Sequence, residues 1–253
     1  MDYSLLLMSF LVGLLIGLTS MGGAALMAPF LILVLGVRPA VAVQTDLIYG
    51  SITKIVGAIV HWRQNTVDVP AAMRLAQGSI PGGVVGCLVV FWLPRWSVNA
   101  DVYLRQAIGA VLVVVGLVLI ARLLGCPRII DPSLHMGLLR GWGSIIWGAV
   151  VGFAVGLTSV GSGSLIAPFL MLLFPLSPAK VVGTDIFHAA ILVSVTGALH
   201  AGSGSIQWGM IATLLAGSIP GVLFGSLLVP HLPAKTIRAG LAVLLLATGI
   251  KMV

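Results

Sequence analysis

The chain has 253 residues, 59% hydrophobic and only 8% charged, with a mean hydropathy of +1.19. Soluble domains carry about 25% charged residues, so this composition excludes an ordinary soluble globule. The net charge of +7 comes from 13 Lys/Arg against 6 Asp/Glu scattered singly among apolar runs; with no basic stripe, nucleic acid is excluded as a partner.

The N-terminal stretch "MDYSLLLMSFLVGLLIG" has no cationic leader region, so it is read as retained rather than cleaved. Apolar elements follow in chain order at roughly 3–19, 22–36, 40–61, 70–93 and 103–124. Five more lie at roughly 143–158, 161–175, 179–200, 207–229 and 235–252. The longer ones reach the roughly 20 residues that a helix needs to cross a bilayer. Short polar stretches separate them, among them "HWRQNTVDVP" and "LPRWSVNAD", and "GCPRIIDPSLHMGLLRGWGS" divides the chain in two. The expected organisation is a transmembrane repeat over 1–125, a linker over 126–142 and a second repeat over 143–253. The fold class is an all-α polytopic membrane protein.

The two halves align without a gap at an offset of 139 residues from about Gly13 to Pro94. "GLTS" at 17–20 returns at 156–159, "APFL" at 28–31 returns at 167–170, and "GSIPG" at 78–82 returns at 217–221. Thr45-Asp46 matches Thr184-Asp185, and His61 matches His200. Each half holds an odd number of crossings whether its first two elements span or form a re-entrant hairpin. The second half then starts on the opposite side, which makes the pair inverted-topology repeats, an arrangement typical of secondary transporters. The first two elements of each half are about 15 residues, or about 23 Å, short of a hydrocarbon core of about 30 Å. The Gly/Ser/Thr stretch between them is therefore read as a helix break inside the membrane, with the two breaks meeting near the midplane. Such breaks are tolerated only where they are buried in protein or line a cavity.

Lys/Arg bias suggests orientation. Arg63, Arg74, Arg122, Arg128, Arg140, Lys180, Lys235 and Arg238 fall on one side, assigned to the cytoplasm; Arg38, Arg95, Arg105 and Lys251 fall on the other. Both termini then face outward.

The breaks hold the first candidate binding residues: Thr19, Ser20, Gly22 and Gly23, and Thr158, Ser159, Gly161, Ser162 and Gly163, followed by Ser164. A half-helix that restarts after a break offers free N–H groups and a positive dipole end, and hydroxyls add donors, so an anion can bind there. The competing explanation is close packing of helices through small residues. Lys54 has no basic counterpart, since Val193 occupies its place in the second half. It either snorkels to the interface or faces a cavity and neutralises an anion, a reading that Ser51 and Thr53 beside it favour. Asp46 and Asp185 are intramembrane acids, a costly and usually functional class, acting either as scaffold acceptors or as proton-coupling groups. His188, one turn from Asp185, is a candidate proton carrier or a core histidine satisfied by Asp185. His61 and His200 are read as helix-end residues with a capping role.

Cys87 and Cys126 lack metal-ligand spacing, and no cofactor or metal is expected. "GSGS" with distant histidines is a weak imitation of an intramembrane serine hydrolase, and the chain is not expected to be an enzyme.

The doubled "GLTSxGxxxLxAP" break, each copy followed by "PAxxVxTD" and then "GSIPG", resembles the TauE/SafE family of sulfite and organosulfonate permeases. The resemblance covers nearly the whole chain. It implies a multi-pass carrier in the inner (plasma) membrane of a bacterial-type cell, moving small anions such as sulfite, sulfonates or sulfoacetate. The breaks depart from the usual glycine-rich motif: Gly22-Gly23-Ala24-Ala25 in one half and Gly161-Ser162-Gly163-Ser164 in the other. The expected partners are a small anionic substrate, the lipid bilayer, and a proton or sodium as coupling ion. The alternatives are an anion or small-solute channel and, more remotely, an intramembrane enzyme or assembly factor.

Overall fold

The computed structural model describes residues 3–19, 23–124, 139–174, 176–201, 206–228 and 234–253. Among them lie ten α-helices: α1 (Tyr3–Thr19), α2 (Gly23–Leu33), α3 (Pro39–Arg63), α4 (Val69–Trp96), α5 (Ala100–Leu123), α6 (Ser144–Thr158), α7 (Ser162–Leu173), α8 (Pro178–Ala201), α9 (Trp208–Leu228) and α10 (Ala234–Met252). A π-helical turn, Leu139–Gly143, leads into α6. Each helix falls within a few residues of an apolar element legible in the sequence. Pro39 and Pro70 occupy first-turn positions, where a missing N–H costs nothing. Asp68 caps α4 by accepting from the Ala71 N–H at 2.9 Å.

Among the described residues four helices are long and apolar enough to cross a membrane: Val69–Trp96, Ala100–Ala121, Gly141–Thr158 and Ala179–Ala201. The third refines the expectation of two short elements at the start of each half. The π turn extends α6 to an 18-residue apolar stretch, whereas α7 has only 12 residues, about 18 Å at 1.5 Å per residue. The short member of the α6–α7 pair is therefore its second helix. Outward positions are apolar, as in Val85, Leu88 and Trp92 on α4 and Leu223 and Phe224 on α9, which suits hydrocarbon as the surrounding solvent.

The halves are interleaved. The first helix of each half packs on the fourth helix of the other, α1 on α9 and α6 on α4, while α3 packs on α8 and α5 on α10. Contacts fix the directions. Gly50 faces Val193, Gly57 faces Ile186 and the Gln44 side chain donates to the His200 carbonyl at 2.6 Å, so α3 and α8 run antiparallel. On α4 and α8, Ser79 meets His188 and, two turns further along both helices, Cys87 meets Thr196, so these run parallel.

Glycine makes the α4–α6 contact possible. Gly78, Gly82 and Gly86 recur every fourth residue and face the backbone carbonyls of Ile145, Ala149 and Phe153. From the other side Gly148, Gly152 and Gly156 face those of Leu75, Ser79 and Gly83. A Cβ at any of these positions would overlap a carbonyl oxygen. The α1–α9 contact repeats the device, with Gly217 and Gly221 against α1 and Gly13 against the Ser218 carbonyl. This is small-residue packing that lets backbones approach, and it accounts for the glycines of "GSIPG". The motif's prolines, Pro81 and Pro220, sit inside α4 and α9 and leave a carbonyl one turn earlier without its helical donor.

Two outcomes follow from this packing. Gly82→Ala should lower the thermal unfolding temperature of detergent-solubilised protein by the equivalent of about 1–3 kcal/mol, whereas Gly240→Ala, with open space around it, should not; equal effects would contradict the close α4–α6 approach. Ser79→Ala should also destabilise, by about 1–3 kcal/mol, because it strips the partner from a fully buried His188. Full stability in that variant would show that the Ser79–His188 bond carries no weight.

Candidate functional site

The site is built around the break between α6 and α7. Helix α6 ends at Thr158; Ser159 takes a left-handed conformation with φ 61° and Gly161 has φ 112°. A side chain at Gly161 would be strained there, and only glycine adopts that geometry freely. The Ser159 N–H still reaches the Val155 carbonyl at 2.7 Å. Thr158 is consumed locally: its hydroxyl donates to the Ala154 carbonyl at 2.7 Å and accepts from the Val160 N–H at 3.2 Å. It shapes the turn and leaves no donor for a ligand. Helix α7 then restarts at Ser162, with Gly161 as its cap. The N–H groups of Ser162, Gly163 and Ser164 open that helix and have no acceptor within it.

Three charged residues converge on this break. Lys54, half-buried on α3, donates from Nζ to the Ser162 hydroxyl. Its ammonium also lies within electrostatic range of both Asp185 and Asp46. Asp46 and Asp185 are each 1% exposed. The antiparallel register explains the meeting. Lys54 lies between Gly50 and Gly57, which face Val193 and Ile186, so it falls across from the stretch of α8 that carries Asp185 and His188. Asp46 sits two turns earlier on α3, beside the Ser159 hydroxyl.

Several expectations change. Ser51 and Thr53 do not extend a polar face toward a ligand: their hydroxyls donate to the α3 carbonyls of Ile48, and of Tyr49 and Gly50. A hydroxyl within a helix has those carbonyls in reach and no need of a distant partner. His188 is held by Ser79, its Nε2 2.7 Å from the Ser79 Oγ, and not by Asp185. In the first break, Ser20 and Gly22 lie outside the described residues; Thr19 closes α1 and Gly23 opens α2. His61 ties the end of α3 to the following loop: its Nδ1 is 2.9 Å from the Thr66 hydroxyl, which donates to the His61 carbonyl at 3.0 Å. Thr184 holds the same loop, accepting from the Asp68 N–H at 2.9 Å. In each "TD" pair, then, the acid turns toward the centre; in the second pair the threonine secures the packing.

The sequence reading passed over Ser79 and Ser218, the serines of the two "GSIPG" motifs. Ser79 serves His188, and Ser218 lies beside the hydroxyl of Tyr49, the residue that matches His188 in the first half. Doubled serines opposite doubled polar positions were the available signal. It was missed because pairing across halves depends on which helices cross.

A polar cavity of about 340 Å³ approaches the break from one end of the bundle, lined by Arg38, Gln44, Phe91, Ser97, Asp101 and His200 among others. Its floor is tied to the break, since His200 also hydrogen-bonds the Gly156 backbone, three residues before Ser159. Arg105, one turn after Asp101, donates to the Lys251 carbonyl at 3.1 Å, so Arg38, Arg105 and Lys251 gather at the same end. A larger groove of about 630 Å³ on the α3–α8 seam is lined almost wholly by apolar side chains such as Ile55, Ile59 and Phe187.

The model of the sulfite exporter TauE/SafE family matches residues 5–252. A protein named "Probable membrane transporter protein YjnA" in Bacillus subtilis (strain 168) is 41% identical over 255 residues, covering 100% of both chains. "Probable membrane transporter protein YunE" of the same organism is 28% identical over 267 residues, with 96% of this chain and 92% of the relative covered. A "Probable membrane transporter protein" of Xylella fastidiosa (strain Temecula1 / ATCC 700964) is 25% identical over 228 residues, covering 89% and 84%. No solved structure matches the chain. With a family match over nearly its whole length and a bundle of apolar spanning helices, the chain is a multi-pass membrane protein of the sulfite exporter TauE/SafE family.

Proposed function

We propose that this protein is a secondary transporter of small anions, sulfur oxyanions such as sulfite or organosulfonates, working by alternating access. The observation that carries the reading is Lys54 on Ser162: a cation delivered from α3 to the N-terminal end of α7. Unpaired N–H groups, a positive dipole end and an ammonium converge on one point, the arrangement that binds oxyanions. Ser162 and Gly163 complete the shell, and Asp185 supplies the counter-charge that holds Lys54 in place. Membership of a family whose description names sulfite favours a sulfur oxyanion over other anions. The antiparallel course of α3 and α8, which are corresponding helices, supports the inverted-repeat reading. In that arrangement one bundle rocks against another about a central site. The polar cavity ending at Gln44 and His200 is the entrance on the Arg38 side.

The site can be tested by ligand-induced thermal stabilisation of purified protein with sulfite, thiosulfate, sulfoacetate, taurine, carboxylates and phosphate, since a ligand that binds the folded state raises its stability by mass action. Sulfur oxyanions should give a selective, saturable shift. Lys54→Met, similar in length but uncharged, should weaken that binding by about tenfold or more, or about 1.4 kcal/mol, while the ligand-free protein stays folded; unchanged affinity would remove Lys54 from the site. Carrier and channel are separated by counterflow in proteoliposomes. Unlabelled anion inside should drive transient accumulation of labelled anion, and its absence during measurable flux would establish a channel instead.

A further inference from the structure

The break has a second pole. We propose that Asp46, Ser159 and the C-terminal end of α6 form a binding site for a sodium ion, separate from the anion pole at Lys54 and Ser162. Both carboxylate oxygens of Asp46 are buried without a hydrogen-bond partner, and so is the Ser159 hydroxyl beside them. The last carbonyls of α6 have no N–H within the helix to receive. Gly156 is already engaged by His200, which leaves those of Leu157 and Thr158 at the break. This is the negative end of the helix dipole. A carboxylate there meets repulsion from the carbonyls, relieved only by the neighbouring Ser159 hydroxyl and the Lys54 ammonium.

The charge count points the same way. Lys54 is within range of both Asp46 and Asp185, yet its Nζ is held at Ser162, on the positive pole. With both acids ionised, one lysine leaves one negative charge uncompensated, and a buried charge of that kind is costly unless a cation or a proton accompanies it. The other titratable groups near the acids do not supply the balance. His188 gives its Nε2 to Ser79, the Tyr49 hydroxyl lies beside Ser218, and His200 faces the Gly156 backbone.

The donor set selects the ion. Carboxylate, hydroxyl and carbonyl oxygens are hard ligands, and a single carboxylate among neutral oxygens suits a monovalent cation better than calcium, which draws more carboxylates. Among the described residues no cluster of three His, Cys, Asp or Glu side chains offers a transition-metal site. A proton on Asp46 would neutralise the acid and let its O–H serve only one of the two carbonyls; sodium answers the acid and both carbonyls. Unwound carbonyls and half-helix C-terminal ends are the parts that hold coupling cations in broken-helix transporters. With the anion reading, on which coupling alone rests, the two poles would load a cation and an anion on opposite faces of one break.

The test uses the full-length purified protein without any sulfur anion. Thermal unfolding is followed as sodium gluconate replaces potassium or N-methylglucamine gluconate at constant ionic strength, and again across pH. Sodium should raise the unfolding temperature saturably where the other cations do not. Ser159→Ala, which keeps every charge, should weaken the apparent sodium affinity by about tenfold, and Asp46→Asn should abolish the response. Identical unfolding in all three cations would overturn the proposal. So would a response to pH alone, which would make the site a proton's. If Asp46→Asn fails to fold, the wild-type comparison and Ser159→Ala still decide. Because no substrate anion is present, a sodium response without any anion response would retain this site and reject the anion reading, and the reverse pattern would reject only the sodium site.

Discussion

A helix broken inside an apolar bundle leaves carbonyls on one side of the break and N–H groups on the other, both buried from water. That constraint organises this protein. At the α6–α7 break the chain meets part of it internally: Thr158 folds its hydroxyl onto the turn, and Gly161 takes a conformation that lets the next helix restart at once. What remains is concentrated into two opposite poles, and the residues that address them come from elsewhere in the chain. Lys54 reaches the positive end through Ser162, and Asp46 lies at the negative end beside Ser159. Each pole thus holds an ionisable side chain, the arrangement on which the proposed anion and sodium sites rest.

The bundle around the break is built to hold those residues in register. Glycines spaced by four bring α6 against α4 and α9 against α1, close enough for carbonyls to occupy the space a side chain would need. The antiparallel α3–α8 pair then carries Lys54 past Asp185. Parallel α4 and α8 place Ser79 on His188, so that a buried imidazole is anchored by a hydroxyl and not by an acid. A packing device thus decides a question of chemistry. With His188 occupied by Ser79, Asp185 remains available to Lys54.

Membership of the TauE/SafE family and the spanning helices place the protein in a membrane with a transporter's architecture. The polar cavity at the Arg38 end is the structural counterpart of that assignment. It ends on Gln44, two residues before Asp46, and on His200, which hydrogen-bonds the Gly156 backbone three residues before Ser159. The α3–α8 groove, although larger, is almost wholly apolar.

Much of this was legible in the sequence, because the lipid solvent leaves few ways to arrange apolar runs. Composition fixed the all-α membrane class, and the 139-residue repeat fixed which helices correspond. The "GLTS" motifs marked where the chain breaks, and the unpaired Lys54 stood out because its counterpart is Val193. Partners across the bundle were not legible. Ser51 and Thr53 looked like a polar face, but a hydroxyl on a helix can always turn to its own backbone, and only coordinates show that these two do. Ser79 and Ser218 carry no mark of a partner in the sequence; the crossing of the halves sets them against His188 and Tyr49. The sequence determines which residues are present and in what periodic order, since those follow from the solvent and the repeat. Which charge meets which helix end depends on the crossing of helices far apart in the chain, and that only the tertiary structure decided.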